Sequence, residues 1–288
     1  MTTVAAPDDT RSPWSAHRER ATVLRGRYPF AAEILGLYAA LLDVWEDGWA
    51  MARDDRAGPA ELAGWASARV LPGVVKATEA AGPEPLAIAT RALVNADQLE
   101  GSLAAWLAGV ELPPVERFLA RATLRAPLEA LDADAGAACA ADPSPRGGRR
   151  CPCCGGSPQL SFRDAADDPL LSGGRRLMCA RCGQSWSYSA GTCASCGETS
   201  GSQRTMYAEP REGPVVGRAE AGPPTTDSST FPQVRIEACT TCQRYLIDID
   251  LSRDPRAVPE VDELAALPLD LYAVDHGLTK ITPNLVGF

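Results

Sequence analysis

CPCCGG at residues 151–156, CARCG at 179–183, CASCG at 193–197 and CTTCQ at 239–243 set eight of this chain's ten cysteines into four Cys-x-x-Cys pairs, all in its second half. Such a turn holds two sulfurs close enough to occupy two corners of a tetrahedron, and a second turn supplies the other two corners. Four pairs therefore predict two four-thiolate metal sites, with Cys151, Cys154, Cys179, Cys182, Cys193, Cys196, Cys239 and Cys242 as ligands. The only histidines, His17 and His276, lie outside the cysteine region, so the sites close with sulfur alone. All-thiolate coordination selects zinc or iron and suits Mg²⁺ or Ca²⁺ poorly.

Three of the pairs are followed by glycine, as a metal knuckle turns tightly enough to need positive φ after its second thiolate. Gln243 stands there in the fourth pair and predicts a looser or mildly strained turn. Sequential pairing joins the first pair to the second across 24 residues and the third to the fourth across 42, each a span that a hairpin fits. The crossed pairing, first with third and second with fourth, is open on spacing alone. Cys153 reads as the interior residue of the first turn, because only Cys151 and Cys154 have the two-residue separation and a following glycine. Cys139 completes no motif and reads as an incidental thiol. A thioredoxin-like dithiol occurs once, at a helix start, which does not fit four pairs set between strands and glycine turns. The zinc-binding co-chaperone repeat C-x-x-C-x-G-x-G is absent.

The 288 residues are 45% hydrophobic and 23% charged, an ordinary globular composition with room for two domains. A net charge of −9 argues against a general nucleic-acid binder, although Arg149, Arg150, Arg175, Arg176 and Arg181 cluster beside the first two pairs. The first twenty residues hold no apolar h-region, and the apolar stretch over residues 29–45 is broken by Glu33 and Asp43. No secretory signal, no membrane insertion and a cytoplasmic protein with reduced thiols are expected.

The expected fold class is α+β: an N-terminal all-α bundle, two small metal modules and a short helical tail. Residues 1–24 are read as a flexible terminus. Residues 25–135 are read as the helical domain, beginning with Phe30, Ile34, Leu37, Leu41 and Val44 on one helix face. Further helices are expected over residues 59–70, 74–81, 85–95, 97–107 and 114–131, the last kinked or split at Pro127. Trp45, Trp49, Trp65 and Trp106 are read as core. Residues 136–150 form a linker, residues 151–190 a first module and residues 191–252 a second. The latter includes a structureless loop over residues 208–230. The tail spans residues 253–288, with Leu264, Leu267, Leu271 and Val274 as its packing face and a break near Pro268. Modules of this size bury too little apolar surface to fold well alone, so metal binding contributes much of their folding free energy.

CPCCGGSP from Cys151, RRLMCARCGQSWSY from Arg175, TCASCG from Thr192 and RIEACTTCQRYLIDIDLSRDP from Arg235, continued by VDELAALPLDLYAVDHGLTKITPNLVGF, resemble the formate dehydrogenase accessory protein family, FdhE. The resemblance covers about the last half of the chain. It implies a cytoplasmic, non-enzymatic assembly factor with two rubredoxin-like modules, iron or alternatively zinc in the four-cysteine sites, and the catalytic subunit of a molybdenum or tungsten formate dehydrogenase as partner. Guanidinium pairs with phosphate as a bidentate fork, so Arg175, Arg176 and Arg181 are candidates to touch the pyrophosphate of that enzyme's molybdopterin dinucleotide cofactor. Two other classes compete: a zinc-ribbon scaffold in transcription or translation, and a rubredoxin-like electron-transfer protein.

Overall fold

The computed structural model describes residues 14–56, 58–94, 96–131, 148–165, 173–209, 229–285 and 287. Cys139, most of the expected linker and residues 210–228 of the expected long loop lie outside the described residues.

Seven helices form the first half: α1 (Ser15–Arg27), α2 (Ala32–Asp55), α3 (Leu62–Arg69), α4 (Leu71–Ala81), α5 (Glu84–Leu93), α6 (Ala96–Leu107) and α7 (Pro114–Ala130). The expectation of a flexible segment reaching residue 24 is corrected by α1. Although its side chains are mostly polar, Trp14, Ala21 and Leu24 are buried. The Trp14 ring lies 6.5 Å from Trp45, which meets Tyr38 edge-on at 5.4 Å. Trp45 also donates its indole N–H to the Ala122 carbonyl at 2.7 Å. Asp47 and Gly48 do not end α2. Gly48 packs against Val70, where its missing side chain lets the helices approach. Pro72 and Gly73 open α4 rather than interrupting the pattern, since a proline in the first turn loses no intrahelical bond. Pro127 sits inside one continuous α7, whose residues 118–128 are all buried.

Strands β1 (Pro158–Arg163), β2 (Arg175–Cys179) and β3 (Ser185–Ser187) form one antiparallel unit, and β4 (Arg204–Tyr207), β5 (Val234–Cys239) and β6 (Arg244–Asp250) another. The two units join edge to edge through a parallel β1–β6 pair, giving the order β3-β2-β1-β6-β5-β4. At the seam Asp248 is fully buried. It accepts hydrogen bonds from Ser161 at 2.6 Å, Arg163 at 3.1 Å and Arg235 at 3.0 Å, so one carboxylate ties β1, β6 and β5 together.

The tail forms α8 (Pro259–Ala265), α9 (Leu267–Asp275) and β7 (Thr279–Lys280), which pairs parallel to β6. Pro268 falls in the first turn of α9, as the expected break requires. The packing face differs from the expected one: Leu264 is buried, but Leu271 and Val274 are exposed, and Leu269, Asp270 and Ala273 face inward. The inward polar residue is satisfied, because Asp270 accepts from Tyr245 at 2.9 Å and pairs with Lys280 at 3.0 Å.

Helix α8 lies between the helical half and the sheet, packing on α1, α2, β1 and β6. Its acids Glu260, Asp262 and Glu263 are all buried, and each has a basic partner from another element. Arg125 of α7 pairs with Glu260 at 3.2 Å, Lys280 with Glu263 at 2.6 Å, and Arg20 of α1 with both oxygens of Asp262. Asp262 further accepts from Gln233 at 2.8 Å and from the Val258 backbone at 2.8 Å. Removing one partner of a buried pair leaves an uncompensated charge. Asp262→Ala should therefore lower the unfolding free energy by about 3–5 kcal/mol. Arg18→Ala, which breaks the exposed pair with Asp43, should cost less than about 1 kcal/mol. Chemical denaturation of both variants measures the contrast.

Candidate metal centres

The four cysteine pairs meet in the sequential arrangement. Cys151, Cys154, Cys179 and Cys182 form one group and Cys193, Cys196, Cys239 and Cys242 the other, with all sulfurs in a group within 4.8 Å of one another. In the first group Cys151 and Cys182 sulfurs lie 3.7 Å apart, and Cys154 and Cys179 3.4 Å. In the second, Cys193 and Cys242 lie 3.9 Å apart, and Cys196 and Cys239 3.8 Å. These separations exclude disulfides, whose sulfurs sit about 2.05 Å apart. They match the edge of a tetrahedron with metal–sulfur bonds of about 2.3 Å, about 3.8 Å. Each group could hold a metal ion. Cys153 is half-buried and lies outside both groups.

The knuckles are backbone constructions. In the first, the Gly155 N–H donates to the Cys151 carbonyl and the Cys151 N–H to the Gly156 carbonyl, both at 2.9 Å; the knuckles at Cys179 and Cys193 repeat the pattern. Backbone N–H groups inside the turns reach sulfur, Arg181 to Cys179 at 3.3 Å and Ser195 to Cys193 at 3.4 Å. Gly155, Gly183 and Gly197 all have positive φ, and Gln243 takes the same left-handed conformation at φ 53°. The fourth turn thus shares the left-handed residue of the others and carries the strain of a side chain there. Knuckle spacing does not mark Gly156, and only the Gly155-Gly156 doublet signals it in the sequence. A Cβ there would stand 2.7 Å from the Cys179 sulfur, so the chain passes the cluster only without one.

The thiols differ in acidity. Burial alone would raise Cys179, but hydrogen bonds from Cys151, Cys154 and Cys182 hold it well below the usual thiol value. Cys151 and Cys182 are held above it by those same sulfur contacts. In the second group burial pushes Cys193 up to about 12. Cys239, against its own burial, is lowered by the backbone N–H groups of Cys242 and Thr241. Cys179 in the first group and Cys239 in the second are thus favoured towards the thiolate form that a metal cation takes as ligand.

The arginines beside the first site do not act as a set. Arg175, read from sequence as a phosphate contact, is buried. Its guanidinium pairs with Glu237 at 2.8 Å, donates to the Ser189 and Thr192 carbonyls at 3.0 Å and lies 5.4 Å from the Tyr188 ring centroid. That expectation is corrected: the charge is spent inside the protein, tying β2 to β5. Arg176 donates to Ser185 across the hairpin. Arg181 donates to the Cys154 carbonyl at 3.2 Å and reaches towards the Leu107 carbonyl at 3.5 Å, linking the first knuckle to α6. Of the three, Arg181 alone lines a cavity among those described.

Fold and site together define a protein class: a helical bundle carrying two zinc-ribbon-like four-cysteine modules on one continuous sheet. Residues 223–286 match the family described as "FdhE, C-terminal domain". The chain is 29% identical over 138 residues to the protein FdhE homolog of Aquifex aeolicus, covering 48% of this chain and 41% of that one. It is also 29% identical over 137 residues to the Pseudomonas aeruginosa homolog, covering 47% and 38%. The aligned segment thus spans less than half the length of these relatives. The crystal structure of the FdhE protein from Pseudomonas aeruginosa matches 96% of both chains with a TM-score of 0.62 at 20% identity, a likeness of fold. The C-terminal half of the chain is thus similar in sequence to FdhE proteins, and its fold is similar to that of a solved FdhE structure.

The two centres differ in exposure. All four sulfurs of the first belong to buried residues, whereas Cys196 of the second is exposed and Cys242 half-exposed. A competing chelator should therefore empty the second centre first. Metal release followed by a chromogenic chelator should show two phases, and Cys193→Ser should abolish the faster one. Gln243→Gly should raise the unfolding free energy by about 0.5–1 kcal/mol by relieving the left-handed strain, measured by denaturation of the metal-loaded protein.

Proposed function

We propose that this chain is a non-enzymatic, cytoplasmic maturation factor for a molybdenum or tungsten formate dehydrogenase, binding the enzyme's catalytic subunit while its metal cofactor is brought to a working state. The observation that carries this reading is the coincidence of the FdhE match with the structural centre of the molecule. The matched segment over residues 223–286 contains the fourth cysteine pair and the tail that joins the sheet to the helices. Among the described residues no helix is long and apolar enough to cross a membrane, which is compatible with that setting.

Iron in rubredoxin-like sites is the favoured metal, with zinc as the alternative, since four thiolates accept either. With iron bound, each site is a one-electron Fe³⁺/Fe²⁺ centre whose potential depends on hydrogen bonds to sulfur and on exposure. The open second centre, with Cys196 at the surface, supports electron exchange with a client there, while the buried first centre supports a holding role.

Deleting the gene in its native host should abolish formate dehydrogenase activity while leaving the catalytic subunit's polypeptide in place, and tagged protein at native expression should co-purify that subunit with bound iron. Unchanged enzyme activity in the deletion strain would overturn the reading.

A further inference from the structure

The arginines of this acidic chain that touch the sheet and α8 are largely neutralised: Arg20, Arg125, Arg163, Arg175, Arg204 and Arg235 each pair with a carboxylate. Four arginines without an ion-pair partner among the described residues line one cavity of about 420 Å³ between the helical half and the first four-cysteine module. Arg117 comes from the first turns of α7, Arg150 from the residue before Cys151, Arg181 from inside the second knuckle and Arg244 from the start of β6. Glu111 is the single acid in the lining.

The donors of these four groups are far from used up. Arg150 donates to the Ser157 hydroxyl, Arg181 to the Cys154 carbonyl and Arg244 to the Lys280 carbonyl at 3.3 Å, while a guanidinium offers five N–H groups. A second, independent observation points the same way. Three residues of the lining carry buried polar atoms with no hydrogen-bond partner among the described residues: the Trp106 indole N–H, the Arg181 Nε–H and the Thr282 hydroxyl. Buried donors are normally satisfied, so these three leave the wall of the basic recess with unmet hydrogen-bonding capacity.

We propose that this cavity binds a phosphate-bearing small molecule. Several guanidinium forks converging on one recess match the many acceptor oxygens of a phosphate or diphosphate group. A chloride or a single carboxylate would leave most of the donors empty. The volume lies within the range of small-molecule sites and holds more than one phosphate group. Because Arg181 also holds the Cys154 carbonyl, the ligand sits against the backbone of the first metal centre. This assignment stands apart from the proposed role in enzyme maturation and is tested without any client.

Isothermal titration of the full-length, metal-loaded protein with inorganic pyrophosphate and with ADP provides the test. Saturable binding is expected. In Arg117→Gln/Arg244→Gln it should weaken by roughly tenfold or more, and in Arg256→Gln, an exposed arginine outside the cavity lining, it should be unchanged. Tighter binding of ADP would assign a nucleotide, and equal binding the free anion. Metal content and circular dichroism of the double variant establish that it is folded, and glutamine at 244 keeps the backbone N–H that reaches the Cys242 sulfur. Absence of saturable binding at millimolar pyrophosphate and ADP, or binding that the folded double variant retains in full, would overturn the proposal.

Discussion

Four sulfur atoms gathered within 4.8 Å of one another gain little from packing and repel once more than one is ionised. A central cation, which each group could hold, reverses that balance. Cys179 ends β2 and Cys239 ends β5, while β3 and β6 begin just beyond the knuckles that contain them. Each cluster therefore clamps the turn of a hairpin to a second knuckle distant in sequence. Strands of three to seven residues, marginal alone, are held in register by that clamp.

Polar groups join the pieces as much as apolar contact does. Asp248 bridges the seam between the two three-stranded units, and the acids of α8 bind bases from α1, α7 and β7. Such buried pairs contribute modestly to net stability but make a misplaced interface costly, since every slipped register leaves charge unpaired. The helical half is in this way given one orientation on the sheet. That orientation places α6 and α7 against the first metal centre, where Arg125 packs so closely on Gly183 of the second knuckle that no side chain fits there.

The two metal centres are alike in ligands and unlike in surroundings. The first is enclosed between the helices and the sheet, and its neighbouring recess is lined with arginines. The second stands near the edge strand β4 with Cys196 open to solvent. The proposed division between a holding centre and an exchanging centre rests on this difference in burial, because exposure governs both metal exchange and electron access.

Spacing alone predicted the two four-cysteine groups, their preference for a soft metal and the helical first half, because each depends on residues only a few positions apart. The knuckle glycines were legible for the same reason. What tertiary structure decided depends on long-range approach. Sequential pairing of the knuckles, the parallel β1–β6 seam and the docking of α1 bring together residues tens to hundreds of positions apart. Helix α1 looked flexible because Arg20, its key anchor, is polar, and only the distant Asp262 makes its burial favourable. Arg175 looked like a surface cation until Glu237 of β5 stood opposite it. The recess around Arg117, Arg150, Arg181 and Arg244 has no sequence signature, since its four charges come from four separate elements and become neighbours only when the sheet closes against the helices.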